Sequence, residues 1–415
     1  MKRIAIIGAG ISGLAAANCL KNSFDVTVFE ADKKVGGLIK CDRVDGNLYH
    51  MVGGHVFNSR RNDVLEWFWN FFDKEKEFTK STRYATIFLD KHVDYPIENH
   101  IYQLEPEIIQ EIISDLILLI KASETKPANF EDFLKSRFGE TLYNLYFKPY
   151  NEKIWKRDLS SVPLTWLEGK LPMPTIEEIL YNNFQREKEM TMVHSSFYYP
   201  KINGSQFLAD RLSEGLKIVN NTTVEKIIRE ENGQYKINDA NDRFDIIIYT
   251  GNVKELPATL RNSKLDESIV KGINNLEYHG TTTVLCKMEP LPYSWIYLPS
   301  PDYLPHRIIC TGNFAESNNS GNNKTVTVEF TDYHSKEDIL FNLRKLPYSL
   351  EYIKHKHTEF TYPIQNISTR ELINDAKLRL EDDNLFLLGR FAEWEYYNMD
   401  AAIGAAIDLS KKLLS

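Results

Sequence analysis

Six residues near the start of the chain, Gly8-Ala-Gly10-Ile11-Ser12-Gly13, have the types and spacing of a phosphate cradle. The first glycine of such a run allows a tight turn and the second lets backbone approach a pyrophosphate. The third lets a helix sit close against the preceding strand. A helix that opens there offers free N–H groups and the positive end of its dipole to an anion. Glu30 ends the next apolar run, where a carboxylate accepts hydrogen bonds from ribose hydroxyls and repels a 2′-phosphate. A glycine-rich turn of another α/β fold is the competing reading. Strand, helix, second strand and terminal acid all stand in order here, and they favour a dinucleotide site.

The elements that must hold this cradle follow from the patterning. Arg3–Ile7 and Val26–Glu30 read as buried parallel strands around a small-residue helix, Ile11–Leu20. Leu48–Asn58 reads as a strand or loop leading into a site, Val64–Phe72 as an aromatic helix, and residues 83–97 as a hairpin. Helical periodicity dominates 106–123, 130–156 and 176–189. Strand patterns return at 195–200, 218–219, 224–228 and 235–237, and at the buried run starting with Phe244. Further strands are expected at 281–287, 307–311 and 325–330, with an exposed Asn/Gly/Ser loop at 317–323. A last buried strand, 384–388, precedes a helix from Asp400 to Leu414. The organisation is interleaved. The fold class expected is α/β, with a Rossmann-type dinucleotide-binding lobe made of 1–80, 195–255 and 380–415. A helical substrate lobe (106–190) and a mixed β-sheet lobe (81–105 with 275–370) are threaded through it.

Bulk properties narrow the class. The chain has 415 residues, enough for two or three lobes, and its net charge of −8 opposes non-specific nucleic-acid binding. Four cysteines, Cys19, Cys41, Cys286 and Cys310, show no metal or disulfide spacing and suit a reducing compartment. No metal site is expected. The chain opens directly on a strand, leaving no signal peptide, and Ile108–Ile120 is too short and polar to span a bilayer. A cytoplasmic protein without a membrane span is the expectation. Aromatic residues reach 12%, which serves either large cores or a cleft that stacks flat rings.

Beyond Glu30, Ala31-Asp-Lys-Lys-Val-Gly36-Gly37-Leu38 adds a second glycine pair. This resembles the FAD-binding signature of the amine oxidase and protoporphyrinogen oxidase superfamily, where the pair carries the chain past the cofactor. Thr222-Thr-Val224-Glu-Lys-Ile is similar to the strand there whose backbone contacts adenine. The resemblance therefore implies FAD, with NAD a minority reading and NADP disfavoured. Further segments together resemble UDP-galactopyranose mutase, a flavoenzyme family that converts a nucleotide-linked pyranose into the furanose. There the N5 of reduced FAD is the nucleophile at the anomeric carbon. Tyr49-His-Met-Val-Gly-Gly54-His55-Val-Phe is similar to the histidine-bearing loop beneath the flavin. Asp94-Tyr-Pro-Ile-Glu-Asn99 looks like a hairpin carrying an L-P-F-N type sequence. Tyr146-Phe-Lys-Pro-Tyr150-Asn-Glu-Lys-Ile-Trp155 resembles the helix whose two rings flank uracil. Gly389-Arg390-Phe-Ala-Glu-Trp394-Glu-Tyr396-Tyr-Asn398-Met399-Asp400-Ala-Ala402 is similar to the element whose Arg and second Tyr bind the diphosphate. The helix start of that element faces the flavin. Tyr362-Pro-Ile resembles a Y-P-I-N segment whose Tyr reaches the same diphosphate.

The chemistry implied needs these residue types. A diphosphate leaving group gathers charge, so a guanidinium (Arg390) and phenols (Tyr362, Tyr396) suit it, with His55 beside the flavin. Tyr146 and Tyr150, four apart on one helix, share a face for a base. The partners implied are a nucleotide-sugar substrate and an external reductant, NAD(P)H among the candidates, with room for a homodimer. Plain packing is the alternative for the three helical aromatics, a satisfied core histidine for His55, and pairing with Glu393 or Glu395 for Arg390. The family's R-L-P-V-R segment is here Lys170-Leu-Pro-Met-Pro174, and lysine lacks the bidentate fork. Trp394 and Asn398 also depart from the family's Tyr and Asp, and 294–320 has no counterpart. An FAD-dependent oxidoreductase of the same superfamily, passing hydride to flavin N5, fits the cradle equally well.

Overall fold

The apolar run Arg3–Ile7 forms the central strand of a five-stranded parallel sheet, in a computed structural model that describes residues 1–122, 126–164, 174–186, 195–262 and 264–415. The strand order is Leu385–Leu387, Ile246–Tyr249, Arg3–Ile7, Asp25–Phe29, Lys217–Val219, and every neighbouring pair is parallel. Alternation along the central strand buries both faces. Ile4 and Ile6 pack with Leu14 and Ile403, on the side of helices Ile11–Leu20 and Met399–Leu414. Ala5 and Ile7 pack with Ile247, Ile273 and Leu385 on the other. The strands come from three distant stretches of chain.

A second, seven-stranded sheet runs in the order Glu351–Pro363, Tyr278–Met288, Lys324–Thr331, Arg307–Ile309, Trp295–Tyr297, Ala85–Leu89, Lys91–Asp94. The expected hairpin at 83–97 joins it through Trp295–Tyr297, a strand that the sequence reading did not identify. The expected ribbon near Val224 begins instead at Ile227, in a small sheet with Tyr235–Ile237, Arg243–Phe244 and Leu260–Arg261.

Two expectations change. The helix anticipated over 130–156 is broken: Gly139 adopts φ +82, a π-helical turn spans Tyr143–Phe147, and Lys148–Trp155 follows as a separate helix. At Gly139 a side chain would come within 2.6 Å of Asp115 Cβ, so contact with helix Pro106–Lys121 requires glycine there. The segment read as a strand or loop at 48–58 is strand as far as His50, after which the chain turns into the cleft. The loop at 317–323 is not wholly exposed. Asn318 is buried and donates to the Tyr199 hydroxyl (3.0 Å) and the Thr311 carbonyl (2.8 Å). Among the described residues, no helix is long and apolar enough to cross a membrane.

The same buried network predicts a pH effect. His50 is buried beside the Tyr199 hydroxyl (2.7 Å) and Cys41 Sγ (3.5 Å), and desolvation lowers its pKa to about 4. A depressed pKa means that the folded state binds fewer protons than the unfolded chain. Its stabilising contribution is complete above about pH 6.5 and is lost as pH falls towards 4, about 3 kcal/mol in all. The thermal midpoint should therefore fall across that window, and His50→Gln should flatten the slope. An unchanged slope in the variant would remove His50 from the explanation.

Candidate functional site

The cradle is built by three glycine-bearing turns stacked at the head of helix Ile11–Leu20. Gly10 and Gly36 form a parallel bridge, with Gly36 N–H donating to the Ala9 carbonyl at 2.8 Å. An added Cβ would stand 2.0 Å from the Gly8 carbonyl oxygen at Gly13, and 3.1 Å from Gly10 Cα at Gly37. At Gly10 the nearest atom is 3.9 Å away, so backbone there stays approachable. Gly389, with φ +99, lies against Ser12, whose Oγ an added Cβ would meet at 2.6 Å. The first strand–helix turn and the last one therefore share a corner.

Glu30 accepts from the backbone N–H groups of Ala9 (2.8 Å) and Asp32 (3.0 Å), with Lys40 Nζ 3.6 Å away. Ala31 beside it is exposed, and Thr222 N–H donates to the Glu30 carbonyl, drawing the segment that leads to Val224 alongside. Two helices begin here without a side-chain cap, at Gly10 and at Asn398. Their first-turn N–H groups, on Ile11–Gly13 and on Met399, Asp400 and Ala401, are the donors an anionic dinucleotide takes up. Ala402 is already bonded to the Asn398 carbonyl and packs in the core. The open approach at Gly10, the Glu30 carboxylate and the two uncapped helix starts fit a flavin dinucleotide.

A cleft adjoins the second helix start. It is lined by Gly53, Gly54 and His55, by Arg390, Tyr396 and Met399, by Arg83 just before strand Ala85–Leu89, and by Tyr297, Arg307, Glu329 and Tyr362 from the large sheet. His55 Nε2–H donates to the Leu38 carbonyl at 3.1 Å, so Nδ1 carries the lone pair. Desolvation, reinforced by the charge of Arg390, lowers its pKa to about 3 and keeps the ring neutral. The rings of Tyr362 and Tyr396 stack at 5.5 Å, 8° apart, and the Arg390 guanidinium lies 4.7 Å from the centre of the Tyr396 ring.

Arg390 is not paired with the acids nearest it in sequence, the alternative that the sequence left open. Glu393 binds Lys377 (2.7 Å) and the Gly389 N–H (2.8 Å), and Glu395 binds Arg370 (3.2 Å). Arg390 donates through Nε and Nη2 to the Tyr397 carbonyl, and through Nη1 to the Thr361 carbonyl (3.2 Å).

Against this geometry, residues 11–298 match the profile described as flavin containing amine oxidoreductase. The chain belongs to that family. Over nearly its whole length it is also similar to two curated mutases. It is 24% identical to dTDP-fucopyranose mutase of Escherichia coli, covering 99% of this chain and 98% of that one. It is 23% identical to UDP-galactopyranose mutase of Mycoplasma genitalium, covering 99% and 95%. A crystal structure of reduced UDP-galactopyranose mutase superposes with a TM-score of 0.88 at 21% identity, covering 100% of this chain and 94% of that one. The fold is thus that of the mutase-like flavoproteins, and the family implies a flavin as the dinucleotide.

Within this flavin family member, the substrate residues expected from sequence divide into two groups. Arg390, Tyr362, Tyr396 and His55 meet in the cleft. Tyr146 and Tyr150 do share a face, with rings stacked at 5.4 Å and 14°, but both are buried in the core of the helical elements. Tyr150 meets the cleft wall in an edge contact of 5.3 Å with Tyr297. Trp155 is buried, and its carbonyl accepts from His279 at 2.8 Å. Asn99 accepts from Asn182 at 3.2 Å and is not among the lining residues. Lys170 lies outside the described residues. Sequence reasoning missed Arg83, Tyr297, Arg307 and Glu329. Arg307 stands in a stretch where the sequence offered no motif, and its strand pattern was the only signal it gave.

Proposed function

We propose that this protein is a flavin-dependent mutase that interconverts the pyranose and furanose forms of a nucleoside-diphosphate-linked sugar, in surface polysaccharide synthesis. The observation that carries the reading is the charge of the cleft. Three guanidinium groups (Arg83, Arg307, Arg390) face one carboxylate (Glu329) there, in a chain whose net charge is −8. A cleft so lined favours a multiply charged anion such as a diphosphate, and repels an amine. The phenols of Tyr362 and Tyr396 add neutral donors beside it.

Reduced flavin, when bound, supplies the nucleophile for the anomeric carbon, so the protein needs none of its own. The residues bind, orient and neutralise. The stacked Tyr362–Tyr396 pair and the guanidinium groups hold the diphosphate as charge collects on its oxygens. His55, neutral and anchored to Leu38, presents an acceptor nitrogen without adding charge. The full-length likeness to two sugar-nucleotide mutases supports the same reading.

The test is direct. Dithionite-reduced protein is incubated with UDP-galactopyranose, UDP-galactofuranose and the dTDP-fucose pair, and ring forms are separated by chromatography. Interconversion of at least one pair is expected with reduced protein, and none with the oxidised form. Turnover of an amine or porphyrinogen with oxygen, and no ring interconversion, would replace the mutase by an oxidoreductase.

A further inference from the structure

Helix Lys148–Trp155 meets the large sheet at three points, each beside a residue of the cleft wall. Tyr150 touches the Tyr297 ring edge-on. The Trp155 carbonyl accepts from His279 Nε2, and His279 pairs in register with Tyr362. Between them, Lys153 Nζ donates to the carbonyls of Leu298 (2.7 Å) and Pro305 (3.3 Å). These two carbonyls are the ends of the turn that joins strand Trp295–Tyr297 to strand Arg307–Ile309. Tyr297 and Arg307 therefore stand one and two residues outside the Lys153 contacts. Pro299, Pro301 and Pro305 give the turn no N–H groups to close itself with. Its ends are paired by the Leu298 N–H on the His306 carbonyl (2.9 Å), and Lys153 ties both of them to the helix. The half-buried ammonium is held below its ordinary pKa, at about 7, by desolvation and by Lys156, against the pull of Asp302. A cation that folding disfavours in this way is a poor choice for stability alone.

We propose that Lys153 is a positioning residue for ligand binding in the cleft, setting through both ends of one turn where Tyr297 and Arg307 stand. The identity of the ligand, a sugar nucleotide, rests on the mutase reading. The ammonium makes charge-assisted bonds to the two carbonyls, roughly twice as strong as those of a neutral amine. As pH rises through about 7 the proton leaves, the turn slackens, and a positive charge behind the cleft is lost. Both changes weaken the hold on an anion. The groups that face Lys153 are Lys156 on its own helix, Asp302 in the turn and His306 at the strand start. Behind His306 lie Glu329 and Arg307. Desolvation holds His306 below its ordinary pKa, with Arg307 and Lys153 adding to it. Glu329, despite its own desolvation, is held at about 2 by Arg307 and His306. Neither of these two changes charge above about pH 7.

UDP-galactopyranose and dTDP-fucopyranose are titrated separately, by calorimetry, into oxidised, flavin-loaded protein from about pH 6 to 9. Their bridging diphosphates keep the same charge over that range, unlike a terminal phosphate with its second pKa at about 6. The parent is compared with Lys153→Arg and Lys153→Met. Arginine stays charged throughout, and methionine keeps an unbranched side chain without charge or strong donors. The parent's affinity should fall about three- to tenfold as pH rises. Lys153→Arg should hold the parent's acidic-side affinity at every pH, and Lys153→Met should bind weakly at every pH. In buffers of different ionisation enthalpy, the parent should take up a fraction of a proton on binding at about pH 7.5, and neither variant any. Flavin content and visible spectrum should be the same in all three. Parallel pH profiles in the three proteins, whatever their melting temperatures, overturn the assignment and make Lys153 a structural tether. Sugar-nucleotide binding without ring interconversion on reduction removes the mutase and leaves Lys153 in its role. Binding of neither sugar nucleotide by the parent overturns both.

Discussion

A Gly13→Ala chain should purify colourless and melt well below the parent. The added Cβ would stand 2.0 Å from the carbonyl oxygen of Gly8, and 3.3 Å from Ile6 Cγ2. The first obstacle is backbone, which cannot rotate away, so helix Ile11–Leu20 must lift off its strand. Overpacking of this kind costs about 1–3 kcal/mol. It also displaces the N–H groups that open the helix, which is where an anion is bound. Gly10→Ala separates the two effects. Its Cβ meets nothing nearer than 3.9 Å and its φ of −75 suits any residue, so the melting temperature should hardly move. The methyl group nevertheless occupies the face by which backbone approaches a pyrophosphate. Losing charge-assisted bonds there costs about 1.5–3 kcal/mol, or roughly ten- to a hundredfold in FAD affinity. Flavin content after purification and fluorescence titration of apoprotein with FAD measure both variants. Stoichiometric flavin in Gly13→Ala would show that the cradle is not where the dinucleotide sits.

This part of the molecule was legible because its determinants are local. Gly8, Gly10 and Gly13 act within one turn. Glu30 follows at the end of the next strand, and the unbroken apolar run of Ile4 to Ile7 already states that both faces are covered. The cleft was legible only where resemblance supplied the long-range pairing, as for His55, Tyr362, Arg390 and Tyr396. Arg307 and Glu329 are separated by 21 intervening residues, and they meet only because Arg307–Ile309 and Lys324–Thr331 pair in a particular antiparallel register. No periodicity within either short strand encodes that register. Tyr146 and Tyr150 show the converse limit. Their spacing correctly gives a shared face, yet it cannot say whether that face meets a ligand or Tyr297. The break at Gly139 was hidden for a related reason. A single glycine within a helical pattern is a small local signal, and the cause of its left-handed backbone lies on another helix, at Asp115.

Arg390→Ala is expected to abolish nucleoside diphosphate binding while the protein stays yellow. The guanidinium joins the end of strand Glu351–Pro363, through the Thr361 carbonyl, to the segment before helix Met399–Leu414, through the Tyr397 carbonyl. It also lies 4.7 Å from the centre of the Tyr396 ring, which in turn stacks on Tyr362. Removing it leaves two carbonyls without these donors, at about 1–3 kcal/mol for each one that stays buried. The cation–π contact adds about 0.5–1 kcal/mol. The cost falls on the Tyr362–Tyr396 stack, and so on the phenols next to Arg307, whereas the glycine cradle and Glu30 are untouched. A melting temperature lowered by several degrees, retained flavin, and loss of UDP or dTDP binding form the expected pattern. The ring of His55 gives an independent check, because the charge of Arg390 is one of the causes that hold its pKa down. Without that charge the imidazole pKa should rise in a titration followed by NMR, with Leu38 still accepting from Nε2. Loss of flavin from Arg390→Ala, with no change in His55, would instead make Arg390 a cofactor ligand, and would leave Arg307 and Arg83 as the substrate-facing cations of the cleft.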